Sequence, residues 1–361
     1  MKIIKEGAPR VIMSNPGSKH NYFGWPSVAR LQNGKIAVVA SGFRVQHVCP
    51  FGKTVIAFSE DEGNTYTLPM PVVDTTMDDR DGGITPFGKS GVVVTSFNNE
   101  LDLYRNRPGR TPYMQAYLDQ MTDEDEERDF GSTFRISHDC GLTFGPVQKS
   151  PVTSPHGPLA LPEGGLLWVG RAMHPLKPDP AFRDTVQAWH MDETGSFTYL
   201  GEIENLQDDD GTTLTSCEPH AILLEDGTLL AQIRVQRRDE KKMFSTYQSL
   251  SHDGGKTWSR PVAILPRLGG APTHLFRHSS GVLLATYGYR EAPYGIKVMF
   301  SHDNGATWDT GHDLYVNNVN WDLGYPATVE CRDGSLLTVF YAHANENEPA
   351  VIWQQKWRME E

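Results

Sequence analysis

An eight-residue pattern, Ser-x-Asp-x-Gly-x-Thr-aromatic, occurs four times: SEDEGNTY from Ser59, SHDCGLTF from Ser137, SHDGGKTW from Ser251 and SHDNGATW from Ser301. Each copy follows a short apolar run such as GKTVIAF or GIKVMF, so it marks a tight turn at the end of a strand. In such a turn the Asp accepts hydrogen bonds from backbone amides, the Gly supplies a positive φ, and the aromatic packs back between sheets. A calcium loop would need further carboxylates that the pattern lacks. HMDETGSF, around Asp192, is a degenerate copy in the gap between the second and third.

A second repeat fixes the number of units. A polar turn with Gly followed by an apolar strand occurs six times, as QNGKIAVVA, GKSGVVVTSF, PEGGLLWVG, EDGTLLAQI, HSSGVLLATYG and RDGSLLTVF. The glycines (Gly34, Gly91, Gly165, Gly227, Gly281, Gly334) recur at a mean of about 60 residues, longer than compact propeller blades. Each is preceded by another strand-like segment, from WPSVARL to YPATVEC. The chain therefore reads as all-β: a six-bladed β-propeller with four-stranded antiparallel blades, one domain over residues 1–361. The one helical pattern, TPYMQAYLDQMTDEDEERD at about 111–129, predicts a small helical insert in blade two, at about 99–131.

Composition excludes several partners. A net charge of -12 repels phosphate backbones and argues against nucleic acid. No apolar run approaches the roughly 20 residues of a membrane helix, so no membrane is expected as a partner. Cys49, Cys140, Cys217 and Cys331 lack CxxC spacing and read as free thiols. MKIIKEGAPRVIM has no signal-peptide core; a cytoplasmic location is expected if Met1 is the native start, and a secreted or periplasmic one if a leader was removed. Nothing in the sequence sets an oligomeric state.

Topology then gathers the chemistry. In a four-stranded blade the start of strand one, the end of strand two and the loop after it share one face. The six inner-strand starts are Trp25, Asp81, His156, Glu218, His274 and Tyr325, and the second-strand ends are Arg44, Asn98, Arg171, Arg234, Arg290 and His343. A single strand-end arginine usually makes a structural salt bridge. Four directed at one axis in an acidic protein point to an anionic ligand such as a carboxylate.

These segments resemble the sialidase (neuraminidase) superfamily, whose Asp-box, or BNR repeat, matches the eight-residue pattern. CEPHAILLEDGTLLAQIR resembles the family segment with a Glu on an inner strand and an Arg at the next strand's end, giving Glu218 and Arg234. YGYREAPYGIKVMFSHDNGATW supplies Arg290, and GYPATVECRDGSLLTVFY supplies Tyr325. The resemblance covers nearly the whole chain and implies an exo-glycosidase that removes a terminal acidic sugar, with neither metal nor cofactor. Tyr325 would be the nucleophile and Glu218 the base that takes its proton, with Arg44, Arg234 and Arg290 binding the substrate. A phenol with a pKa near 10 needs such a base, and a neutral nucleophile avoids repelling a substrate carboxylate. Tyr nucleophiles set sialidases apart from two-carboxylate glycosidases.

Two departures put the substrate in question. The family's first inner strand carries an arginine of a carboxylate-binding triad, where this chain has Gly24; Arg171 or Arg80 would have to supply the charge. The family's acid/base Asp lies in the loop after Arg44, which here reads VQHVCPFGK. His47 is the nearest proton-transfer group, and Asp81 is its rival. Sialic acid, another keto-deoxy acid or a uronic acid remain as the terminal sugar of an acidic glycan or oligosaccharide substrate. Trp25, Arg171, His156 and His274 complete the expected substrate-binding set. The alternatives are a lyase on uronate chains, with His47, His156 and His274 moving protons and Tyr325 as acid or base, and a glycan-binding propeller without catalysis. A metal held by His156, His220 and His274 is a further option that rests on convergence alone. The insert, with Tyr104, Arg105 and Arg107, either caps the pocket or protrudes as an oligomer contact.

Overall fold

Twenty-four strands form six four-stranded antiparallel sheets, and the innermost strands of successive sheets touch in a closed ring. In this computed structural model, which describes residues 1–360, blades one to five span residues 22–73, 80–149, 159–203, 215–263 and 273–316. Blade six takes three strands from the C-terminal end, Gly324–Glu330, Leu336–Ala342 and Val351–Glu360, and its fourth, Lys2–Met13, from the N-terminal end. Lys2 pairs with Glu360 and Met13 with Ile352, so the two ends of the chain share one sheet and the ring is closed by hydrogen bonds. The repeats counted six blades but did not reveal this exchange.

Each blade is too thin to bury its own apolar faces, and the core lies between blades. Val38 and Val55 of blade one pack with Val329 and Val339 of blade six, while Val39 and Ile56, on the other face, pack with Ile84 and Val92 of blade two. The second strands are covered on both faces and buried along nearly their whole length, as in Leu229–Arg237, which explains their continuous apolar sequence.

The Asp-boxes sit between strands three and four of blades one, two, four and five. In each, the Asp carboxylate accepts from the Thr amide and hydroxyl four residues on, as Asp303 does from Thr307 at 2.9 and 2.6 Å. These bonds hold the four carboxyls down at about 2. Two boxes also clamp the preceding blade. Trp308 Nε1 donates to Gln248 Oε1 at 2.9 Å, and Gln248 Nε2 donates to the Gly305 carbonyl at 2.9 Å. Tyr66, Gln354 and Gly63 repeat the arrangement between blades one and six.

The insert in blade two holds three short helices, α1 (Leu101–Arg105), α2 (Pro112–Leu118) and α3 (Asp123–Asp129). The single helix expected over 111–129 is broken because Thr122 starts a new one: its hydroxyl accepts from Asp125 N, and the Asp125 carboxylate accepts from Thr122 N, a reciprocal cap. Leu101, Tyr104, Leu118 and Met121 form a small core with Met77 and Val48. This seats the insert on the face where the inner strands begin.

Candidate active site

Four inner strands carry, within their first four residues, one in a conformation that side chains normally avoid. Trp25, Asp81, Glu218 and Tyr325 have φ of 53°, 47°, 49° and 47°. Each lies at a break in the pairing of its blade's first two strands, between Gly24 and Ser27, Arg80 and Gly83, Cys217 and His220, and Gly324 and Ala327. Such bulges re-aim a side chain, at a cost of about 1–2 kcal/mol for each left-handed non-glycine residue. All four line one cavity of about 770 Å³. Convergence of four strained residues on one space marks it as the candidate active site.

At its floor, Arg234 Nη1 donates to both oxygens of Glu218, at 2.8 and 2.6 Å, and to the Tyr325 hydroxyl at 3.2 Å. Among the described residues no hydrogen bond joins Tyr325 directly to Glu218; the guanidinium stands between them. Burial, with Glu218 and Asp81 adding to it, pushes the Tyr325 phenol well above its usual pKa against the pull of Arg234 and Arg290. The hydroxyl is therefore neutral. Arg290 donates to the Leu323 carbonyl and to the Tyr341 hydroxyl, each at 3.1 Å, and its charge has no carboxylate partner among the described residues. Its guanidinium lies 5.1 Å from the Phe244 ring centre and 5.8 Å from that of Tyr325.

The other expected arginines divide. Arg171 lines the cavity but is held by Asp184 through two 2.7 Å bonds. Arg80 lines it over the Trp25 ring, at 4.2 Å. Arg44, expected to bind substrate, is instead fully buried behind the wall, paired with an equally buried Asp78 and donating to the His47 carbonyl at 3.1 Å. Arg44 and Arg80 share Asp78, so the cluster keeps a net positive charge beneath Trp25. A β-carbon on Gly24 would meet Tyr22 at 3.3 Å and Tyr341 at 3.6 Å. Two phenol rings thus occupy the space that an arginine there would need.

His156 and His274 are also corrections. They sit off the cavity wall and pack with His220 along the inner strands, ring centres 4.5–5.4 Å apart. Leu275 N donates to His220 Nδ1 and Thr328 N to His274 Nδ1, and burial holds all three rings below the ordinary histidine pKa. They are neutral packing groups. No set of three His, Cys, Asp or Glu side chains among the described residues is placed to hold a metal.

Both proton-transfer candidates do reach the cavity. Asp81 is buried, and its Oδ1 has no hydrogen-bond partner among the described residues. Burial first, then Glu218 and Asp78, raise its carboxyl to about 7 against Arg80 and Arg44. His47 Nδ1 lies 2.7 Å from Asp322 Oδ1. Burial nonetheless draws the ring below its ordinary pKa, outweighing Asp322. Asp322, Tyr22, Tyr341, Phe244 and Trp321 were missed in the sequence. Asp322 alone carried a signal, an acidic residue just ahead of an inner strand, as Asp78 is ahead of Asp81. The insert supplies Leu103, Arg107 and Phe130 to the wall, so it borders the pocket.

An axial cavity walled by arginines, with a buried phenol and two carboxylates at inner-strand bulges, sits here on a six-bladed propeller fold shared with glycoside hydrolases. The chain belongs to the BNR repeat-like domain family, whose model matches residues 55–338. No curated protein matches it in sequence. Among solved structures, a protein of unknown function from Dyadobacter fermentans superposes with a TM-score of 0.76 at 19% identity, covering 99% of each chain. A leech intramolecular trans-sialidase gives 0.63 at 15% identity over 98% of this chain and 70% of that one. An α-L-arabinofuranosidase of Fusarium graminearum gives 0.65 at 11% identity over 99% and 98%. At these identities the likeness is one of fold.

Proposed function

We propose that this chain is an exo-acting glycoside hydrolase that removes a terminal acidic sugar, sialic acid or a related keto-deoxy or uronic acid, through a Tyr325–Glu218 pair. The observation that carries the reading is the single guanidinium nitrogen of Arg234 touching both the phenol and the carboxylate within an arginine-walled cavity. A substrate carboxylate accepting from Arg234 and Arg290 would loosen Arg234 from Glu218 and free that carboxylate to take the phenol's proton. Catalytic hydrogen bonds commonly tighten only in the substrate complex. Tyr325 then attacks the anomeric carbon while Asp81, near its pKa at neutral pH, protonates the leaving oxygen. The positive charge at the floor favours an anionic sugar over a neutral one.

The test is a panel of 4-methylumbelliferyl glycosides of sialic, keto-deoxyoctulosonic, glucuronic and galacturonic acids, with neutral arabinofuranoside as control. Release from one acidic glycoside, abolished in Tyr325→Phe, is the expected result; release only from the neutral sugar would overturn the reading. A uronate lyase is the second reading, favoured by the uncharged His47 ring at the wall. On uronate oligosaccharides it would yield an unsaturated product absorbing in the near ultraviolet. Binding without turnover would mark a glycan-binding propeller.

A further inference from the structure

Asp322 collects donors from four side chains that are distant in sequence. The Tyr22 hydroxyl lies 3.0 Å from both its oxygens and the Tyr341 hydroxyl 3.1 Å from Oδ1. His47 Nδ1 lies 2.7 Å from Oδ1, and His343 Nε2 lies 3.2 Å from Oδ2. A carboxylate has about four lone-pair sites and donates nothing when ionised, so this one is saturated. Burial opposes its charge, but His343 and His47 hold its carboxyl far below the usual range.

The two histidines are then fixed in different states. His343 Nδ1 faces the Glu348 carbonyl at 2.8 Å and its Nε2 faces Asp322. Both neighbours are acceptors, so both ring nitrogens carry protons and His343 is an imidazolium. Burial acts against that charge; Asp322 and the Glu348 carbonyl raise its pKa. With one positive charge already on the carboxylate, His47 has less to gain from a second. It also faces Arg80, which donates to its carbonyl at 3.2 Å, and Arg290 acts on it from across the cavity. Its flanks are the Trp25 and Trp321 rings, 5.0 and 5.6 Å away. A neutral His47 that donates Nδ1–H to Asp322 keeps its lone pair on Nε2. That nitrogen has no partner among the described residues and is not among the sealed-off polar atoms, on a ring that lines the cavity.

We propose that His47 is a catalytic base of this cavity, and that Asp322 is the positioning residue that fixes its tautomer and turns the Nε2 lone pair toward the substrate. The assignment rests on the hydrolase reading and divides proton transfer between two groups. In the first step Glu218 takes the proton of Tyr325 as the phenolic oxygen bonds to the anomeric carbon; the glycosidic bond breaks, its electron pair goes to the leaving oxygen, and Asp81 gives that oxygen its proton. In the second, water bonds to the anomeric carbon and passes a proton to His47 Nε2. The bond to Tyr325 breaks, its electron pair returns to the phenolic oxygen, and Glu218 returns the proton to it. The His47 imidazolium then restores the proton lost by Asp81, through solvent. The same carboxylate reaches Arg290 through Tyr341, so the base and the anion-binding group share one anchor.

Two measurements test this. Nitrogen-15 NMR of histidine-labelled protein without substrate, with His47 assigned by its loss in His47→Gln, should show Nδ1 protonated and Nε2 bare at neutral pH. Asp322→Asn should mix the tautomers and lower the ring's pKa, because the carboxylate that favours its charged form is gone; Asp322→Glu should restore the wild-type signature. A wild-type ring carrying its proton on Nε2, or one indifferent to Asp322→Asn, overturns the positioning role whether or not any glycoside is cleaved. In stopped flow with the aryl glycoside that is turned over, His47→Gln and Asp322→Asn should keep the initial burst of aryl alcohol. Steady turnover should fall by about 10²-fold, with azide, a nucleophile that needs no base, restoring it in His47→Gln. Burst and turnover falling together, without azide rescue, would overturn the catalytic role. Failure of every glycoside in the panel would instead count against the hydrolase reading and, with it, the catalytic step.

Discussion

Folding ties up a proton at Asp81 that an unfolded chain releases near pH 4. With its folded carboxyl at about 7, the native state binds more protons than the unfolded one between those limits, so this residue's contribution falls as pH rises through the window. Asp81→Asn removes that liability and suits the left-handed backbone there. At pH 8 the variant should be more stable by on the order of 2–4 kcal/mol, a gain that vanishes below pH 4, measured by urea denaturation across pH. Turnover should fall by on the order of 10²–10⁴-fold. At this scale the sequence was most legible where a residue is tied to a repeat. Glu218 with Gly227, Tyr325 with Gly334 and Trp25 with Gly34 share one spacing, and all three reach the cavity. Arg44 shares a strand-end position with Arg234, but the strand position does not say which way a guanidinium turns, and Asp78 draws it behind the wall. Asp322 lies in a loop whose one counterpart is Asp78, the same three residues ahead of an inner-strand bulge, so two blades of six marked it where the turn glycines marked all.

Two of the four Asp-boxes act as interblade clamps as well as turns, which their local pattern did not disclose because the partner glutamine belongs to the preceding blade. Gly305 has φ of 83°, and a β-carbon there would lie 2.3 Å from Leu230 Cδ1. Gly254, in the neighbouring box, has φ of 73° with nothing within 4 Å. Gly254→Ala should therefore cost about 1 kcal/mol for backbone strain alone, whereas Gly305→Ala adds a steric clash and should cost about 2–3 kcal/mol. Denaturant midpoints at constant m-value would show it, and equal losses would contradict the clamp. Among the elements, strands were legible from periodicity and turn glycines. The helices of the insert were blurred, because an acidic polar stretch continued the helical pattern past the Thr122 cap.

Six blades contribute one wall each to a cavity that no blade contains, so the site exists only when the ring is complete. Blade count followed from the repeats; ring closure by Lys2–Met13 did not, because pairing between chain ends leaves no local turn signal. The whole arrangement brings a phenol from blade six against a carboxylate and a guanidinium from blade four, residues 91 apart in the case of Arg234 and Tyr325. The most direct measurement is mass spectrometry of the protein after reaction with a fluorinated form of whichever acidic sugar the glycoside panel identifies, substituted at the anomeric carbon and its neighbour to slow release. The account predicts a single covalent sugar on the peptide containing Tyr325, absent in Tyr325→Phe. A label on any other side chain, or steady turnover of the parent glycoside with no covalent species at all, would contradict it.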